Sequence, residues 1–130
     1  MTPELKTLGW SVVLGLVYVM VAATLGTQQR GLKWNAGARD GEPQPLTGMA
    51  ARAARASLNF LETFPLFAAL VLAVVIAQKN TPHTELGSEL YFWARVVYLP
   101  VYLLGIPYLR TVVWAVSLIG MLHLLPPLVN

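Results

Sequence analysis

Arg52, Arg55, Asn59 and Glu62 stand at i, i+3, i+7 and i+10 in the run RAARASLNFLE. At 100° per residue they share an arc of roughly 80° on a helix. Two guanidiniums, an amide and a carboxylate therefore line one face. Guanidinium forks fit carboxylates and a buried carboxylate fits an ammonium, so such a face needs a partner. Between Arg55 and Lys79, Glu62 is the only charged residue. The stretch is long enough to cross a bilayer, where a carboxylate is costly and marks a functional-site candidate.

A second stripe follows. Tyr91, Arg95, Tyr98 and Tyr102 lie at i, i+4, i+7 and i+11, again on one helix face. At 1.5 Å per residue, Glu62 lies roughly 10 Å in from Arg55 and Tyr102 roughly 12 Å in from Arg110. On antiparallel helices the two stripes reach similar depth and can face one cavity, with Arg55 and Arg110 at its mouth.

The elements that must carry these stripes follow from composition. The chain has 130 residues, 56% hydrophobic and 12% charged, against about 25% charged in a soluble domain. This predicts an all-α integral membrane protein with one domain over 1–130. Charge-poor windows at 7–29, 56–78, 90–109 and 111–128 each reach the roughly 17–25 residues of a spanning helix. The apolar runs lack period-two alternation, so a bundle of four transmembrane helices is expected rather than a barrel. A signal-peptide core runs about 7–15 residues, and the first window is longer, so it reads as a span. Residues 30–50 form a polar loop rich in Gly and Pro, and residues 79–89 a short polar turn. GIPYLR at 105–110 makes a tight corner, and Pro126-Pro127 ends the last helix.

The net charge of +3 is small and reads as membrane-side bias, not a nucleic-acid patch. Arg30, Lys33, Arg39 and Arg110 lie on one side, with Arg52 and Arg55 nearby, against Lys6 and Lys79 on the other. The positive-inside rule then places the 30–50 loop in the cytoplasm and both termini outside. Without cysteine, thiol chemistry requires a thiol from a ligand. Neither His83, in a polar turn, nor His123, alone in its span, is expected to bind a metal.

Each polar residue also has a structural reading. Arg52 and Arg55 can anchor on lipid phosphates. Glu62 can pair with Arg95, and the tyrosines can pack with satisfied hydroxyls. The convergence of Asn59, Glu62, Tyr98 and Tyr102 on one depth favours a ligand site.

The run RAARASLNFLETFPLF at 52–67 resembles the second-helix signature of the membrane-associated proteins in eicosanoid and glutathione metabolism, the MAPEG family. Its pattern is matched by Arg55, Asn59, Glu62 and Phe64-Pro65, and the third-helix pattern by Arg95, Tyr98 and Tyr102. The resemblance implies a left-handed four-helix bundle assembled as a homotrimer, with glutathione in a cytoplasm-facing cavity between subunits. It implies that Arg30, Arg55, Asn59, Glu62, Tyr98 and Tyr102 bind glutathione and that Arg110 activates its thiol. Leu58 replaces a second arginine of the prostaglandin-synthesising branch, which argues against that activity. The Tyr102-to-Arg110 spacing also departs from the leukotriene-synthesising enzyme.

The function expected is a membrane-bound glutathione-dependent transferase or peroxidase acting on a lipophilic electrophile or hydroperoxide. Glutathione serves as cosubstrate, without a metal. An alternative is a non-catalytic glutathione- or lipid-binding scaffold of the same fold. A third is a small proton-coupled exporter, which expects its glutamate in the first span, where this chain has no charge. For topology, Gly37→Cys and His83→Cys should react from opposite sides of the membrane. Labelling of Gly37→Cys in intact cells by an impermeant thiol reagent would reverse the orientation.

Overall fold

The computed structural model describes all residues, Met1–Asn130, and is built of helices without strands. Four long helices form the bundle: α1 (Pro3–Arg30), α3 (Gly48–Ile76), α4 (Pro82–Leu103) and α5 (Pro107–Leu124). Two short ones, α2 (Leu32–Ala36) and α6 (Pro126–Val129), follow α1 and α5. Three helices, α1, α3 and α5, are long and apolar enough to cross a membrane.

The fourth predicted span is α4, and its polarity has a structural reason. It packs against α1, α3 and α5 and buries Thr84, Ser88, Tyr91, Arg95, Tyr98 and Tyr102. Its polar side chains turn into the bundle, where hydropathy averaged along the chain miscounts them. Exposed apolar side chains are more numerous elsewhere, such as Trp10, Leu16 and Met20 of α1 and Leu58, Leu61 and Leu66 of α3, while α4 exposes Leu86, Trp93 and Val97.

Helix ends differ from the charge-poor windows because a window sees charge and not caps. Residues 79–89, expected as a turn, are helical from Pro82 onward. Thr81 and Thr84 form a capping box there: Thr84 N–H donates to Thr81 Oγ1 (3.2 Å) and Thr81 N–H to Thr84 Oγ1 (2.8 Å). Likewise α3 starts at Gly48, so Arg52 and Arg55 lie inside the helix and not ahead of it. The loop after α1 contains the unanticipated helix α2. The corner after α4 is present but shorter than the expected 105–110: it spans 104–106, because Pro107 already opens α5. Gly105 takes φ +73° there, a conformation costly for residues with a Cβ. Arg52 Nε donates to the Leu103 carbonyl (2.9 Å), satisfying one orphan acceptor at the end of α4. Arg52 is therefore a helix-end brace rather than a member of the functional stripe.

Near the chain termini the helices are tied by buried polar contacts. Glu4 on α1 is buried and accepts from Thr84 Oγ1 (2.6 Å), while Thr7 Oγ1 donates to Glu89 (3.3 Å). Packing of α4 on α5 depends on two glycines. A Cβ on Gly87 would fall 2.5 Å from the Gly120 carbonyl oxygen and 2.6 Å from His123 Cβ. The obstacle is backbone and cannot swing aside. Gly87→Ala should therefore destabilise the fold by about 1–3 kcal/mol, as overpacking does. Gly9→Ala, where a Cβ meets nothing within 4 Å, should be neutral or slightly stabilising. Thermal unfolding in mild detergent compares them, and equal midpoints would remove the Gly87–Gly120 contact as a constraint.

Candidate functional site

The site is assembled from three helices. Arg55, Leu58, Asn59 and Glu62 of α3, Tyr98 and Tyr102 of α4, and Arg110, Thr111 and Trp114 of α5 line one cavity of about 430 Å³. On α3, Leu58 and Asn59 stand three and four residues after Arg55, and Glu62 four and three after them, the spacing that places side chains over one another. The α4 tyrosines follow the same rule, and Arg110 and Trp114 repeat it at the start of α5. The short α4–α5 corner keeps Tyr102 and Arg110 close in space.

Tyr102 is the hub. Its hydroxyl accepts from Arg55 Nε (3.2 Å), and the Arg55 guanidinium carbon lies 5.8 Å from its ring centroid. Arg110 sits over the same ring at 4.7 Å, within cation–π range. The Tyr98 and Tyr102 rings meet edge to face with centroids 5.4 Å apart. One aromatic ring thus spaces two guanidiniums that would otherwise repel, and both line the cavity.

Glu62 lines the same cavity and is exposed within the single chain. It does not pair with Arg95. Arg95 Nη1 donates instead to Asn59 Oδ1 (2.9 Å), and its other two side-chain nitrogens have no partner. The structural ion pair weighed from sequence is therefore not formed. Helix register gives Arg95 to the amide one turn before Glu62. The carboxylate remains available for a cation from outside the chain.

Six of the seven residues singled out from sequence meet here: Arg55, Asn59, Glu62, Tyr98, Tyr102 and Arg110. Arg30 does not join them in the same chain. It lines a separate cavity of about 230 Å³ with Thr27, Trp34, Asn35 and Arg39, and its Nε donates to the Gln44 carbonyl (2.8 Å). The chain after α1 folds back on its last turns and is held by Gln29, whose side chain exchanges two hydrogen bonds with the Thr47 backbone (2.8 and 3.0 Å). Arg30 follows that return.

Sequence reasoning missed Thr111 and Trp114 as lining residues. Their signal was present: they stand one residue and one turn beyond Arg110. The structural reading of the tyrosines holds for Tyr91, which is buried against Phe67 (centroids 4.0 Å) with its hydroxyl 3.0 Å from Thr63 Oγ1, outside the cavity.

A larger cavity of about 700 Å³ lies at the other end, lined by Thr81, His83, Ile119, Leu122, His123, Pro126 and Pro127. It holds no carboxylate or guanidinium. Chemistry rather than size selects the first cavity, which combines two cations, one anion and three further hydrogen-bonding side chains at its core.

Comparison with known proteins is consistent with this geometry. No curated protein and no solved structure matches the chain. A family model does, that of the MAPEG family, over residues 7–125. The match begins in α1, takes in α3, α4, α5 and every residue of the cavity, and the chain belongs to the MAPEG family.

Proposed function

We propose that the protein is a membrane-bound, glutathione-dependent transferase or peroxidase acting on a lipophilic electrophile or hydroperoxide. Membership of the family supports a membrane role in glutathione or eicosanoid metabolism. The observation that carries the finer reading is the charge pattern of one cavity: Arg55 and Arg110 gathered on Tyr102, facing a Glu62 that no cation in the chain neutralises.

Glutathione has two carboxylates, one ammonium, two peptide groups and a thiol. Arg55 clamps a carboxylate, and Glu62 takes the ammonium. Asn59 and the tyrosine hydroxyls bond the peptide groups. Arg110 stays protonated near neutral pH, so it is neither general acid nor general base. It acts electrostatically, favouring the thiolate over a thiol whose ordinary pKa is ~8.5. The thiolate attacks an electrophilic carbon to form a thioether, either displacing a leaving group that departs with its electron pair or adding to an activated alkene whose π electrons then take a proton from water. With a hydroperoxide, two thiols are oxidised to a disulfide as the peroxide becomes an alcohol and water.

The full assembly is part of the same reading. In it α4 is the fourth span, shielded from lipid by its neighbours, and the cavity opens to the cytoplasm with both termini outside. Arg55, Leu58 and Glu62 are exposed in one chain. A homotrimer would cover them, and a neighbouring copy could bring its Arg30 to the site. The apolar second substrate reaches it from the bilayer.

Glu62→Gln should weaken glutathione binding by about 2–4 kcal/mol while the assembly stays intact. Unchanged affinity in the folded variant removes Glu62 from the site. Arg110→Ala should lower turnover of a generic electrophile by about one to three orders of magnitude, as loss of a charge-stabilising group does. Its glutathione affinity should change less than that of Arg55→Ala, and raised pH should recover part of the rate. Near-wild-type turnover with an unshifted pH profile would leave Arg110 as a lipid-contacting arginine. Glutathione binding by the wild type without turnover of any electrophile or hydroperoxide would instead support the non-catalytic scaffold.

A further inference from the structure

Arg95 is the most buried charge in the molecule, at 0% exposure. Its guanidinium carbon lies 4.2 Å from the Tyr98 ring centroid, 5.5 Å from that of Phe60 and 5.8 Å from that of Tyr18. The Tyr18 hydroxyl also donates to the Arg95 backbone carbonyl (2.5 Å), which holds this turn of α4 against α1. Nη1 donates to Asn59 Oδ1, while Nε and Nη2 are buried without a partner. No carboxylate accompanies the cation. A buried, unpaired charge costs several kcal/mol, and aromatic faces offset only part of that. A methionine or leucine would fill the space at less cost.

Both residues nearest the guanidinium, Asn59 and Tyr98, belong to the cavity wall. We infer that Arg95 is a positioning residue for this site: it fixes the direction of the Asn59 carboxamide and places positive charge directly behind the wall. A guanidinium only donates, so it can hold the amide only by its oxygen. The Asn59 Nδ2 donors are then left for the cavity. The ligand atom at Asn59 must be an acceptor, a peptide carbonyl or a carboxylate, and a donor there is rejected. Two guanidiniums in the cavity, those of Arg55 and Arg110, and a third behind its wall, that of Arg95, then outnumber the cavity's one carboxylate, Glu62. The surplus charge selects an anionic ligand and favours its thiolate over its thiol. The choice of glutathione as this ligand rests on the function proposed above; the coupling of Arg95 to Asn59 does not.

The test uses the purified full-length protein in mild detergent and S-hexylglutathione, a probe that binds without reacting. Arg95→Met and Asn59→Ala should each weaken binding about 10–100-fold, the range for a charge-assisted hydrogen bond. The double variant should bind within about threefold of the weaker single variant, because both changes remove one interaction. Losses that multiply, or an Arg95→Met protein that binds like wild type, overturn the assignment. If Arg95→Met does not assemble, Arg95→Gln replaces it: a neutral amide can meet Asn59 at either end, so the same loss and non-additivity are expected. A second arm needs no ligand. Asn59→Asp should raise the thermal midpoint by a few degrees while Arg95 is present and lower it in the Arg95 variant, where the carboxylate is unpaired. The same shift in both backgrounds overturns the coupling. A wild-type protein that does not bind S-hexylglutathione sinks the proposed function, and the stability arm then decides the Arg95 assignment alone.

Discussion

A guanidinium withdrawn from solvent among four helices constrains most of what surrounds it. Arg95 can be tolerated on α4 only if aromatic faces and an amide replace water around it, and Tyr18, Phe60, Tyr98 and Asn59 do so. These come from α1, α3 and α4, so satisfying one side chain draws three helices into register. It also requires α4 to occupy the middle of the bundle, in contact with α1, α3 and α5. Once α4 lies there, the polar stripe of α3 and the tyrosines of α4 have to meet beside it.

The two ends of the bundle are built differently. Toward the chain termini, Gly87 and Gly120 bring α4 and α5 to backbone contact, and Glu4, Thr7, Thr84 and Glu89 tie α1 to α4. This end is close-packed where the helices touch. Toward the loops 31–47 and 104–106, the space between α3, α4 and α5 is filled by Tyr102 and two arginines and stays open as a cavity. Backbone contact between α4 and α5 away from the site lets the helices be held firmly while charged side chains keep room for a guest.

That guest is defined by the charges left over. Arg55 and Arg110 share Tyr102, and Arg95 is buried against Asn59 and aromatic rings, so Glu62 has no cation of its own. A carboxylate on a membrane helix is stable when something outside the chain neutralises it. In the reading proposed above, a ligand, a neighbouring copy, or both supply that neutralising charge. This is the physical link between the family's role in glutathione or eicosanoid metabolism and the reaction proposed for this member.

Much was legible along the chain because the governing constraints are local. A lipid-facing helix must be apolar, so α1, α3 and α5 appear as charge-poor windows. A polar stripe must repeat at helical spacing, so Arg55, Asn59, Glu62, Tyr98 and Tyr102 could be grouped before any fold was known. Their convergence with Arg110 followed from depth arithmetic on antiparallel helices. Helix ends were less legible: the Thr81–Thr84 box begins α4 inside a segment that charge alone marks as a turn. Pairing was not legible at all. Spacing offered Glu62 as a partner for Arg95, and only the register between α3 and α4 gave Arg95 to the Asn59 amide instead. The same holds for Arg52, which bonds the Leu103 carbonyl, and for Arg30, which follows the chain's return after α1. Residue type and spacing determine which face a side chain occupies; which neighbour satisfies it depends on the sliding and rotation of one helix against another, and that is set by contacts remote in sequence.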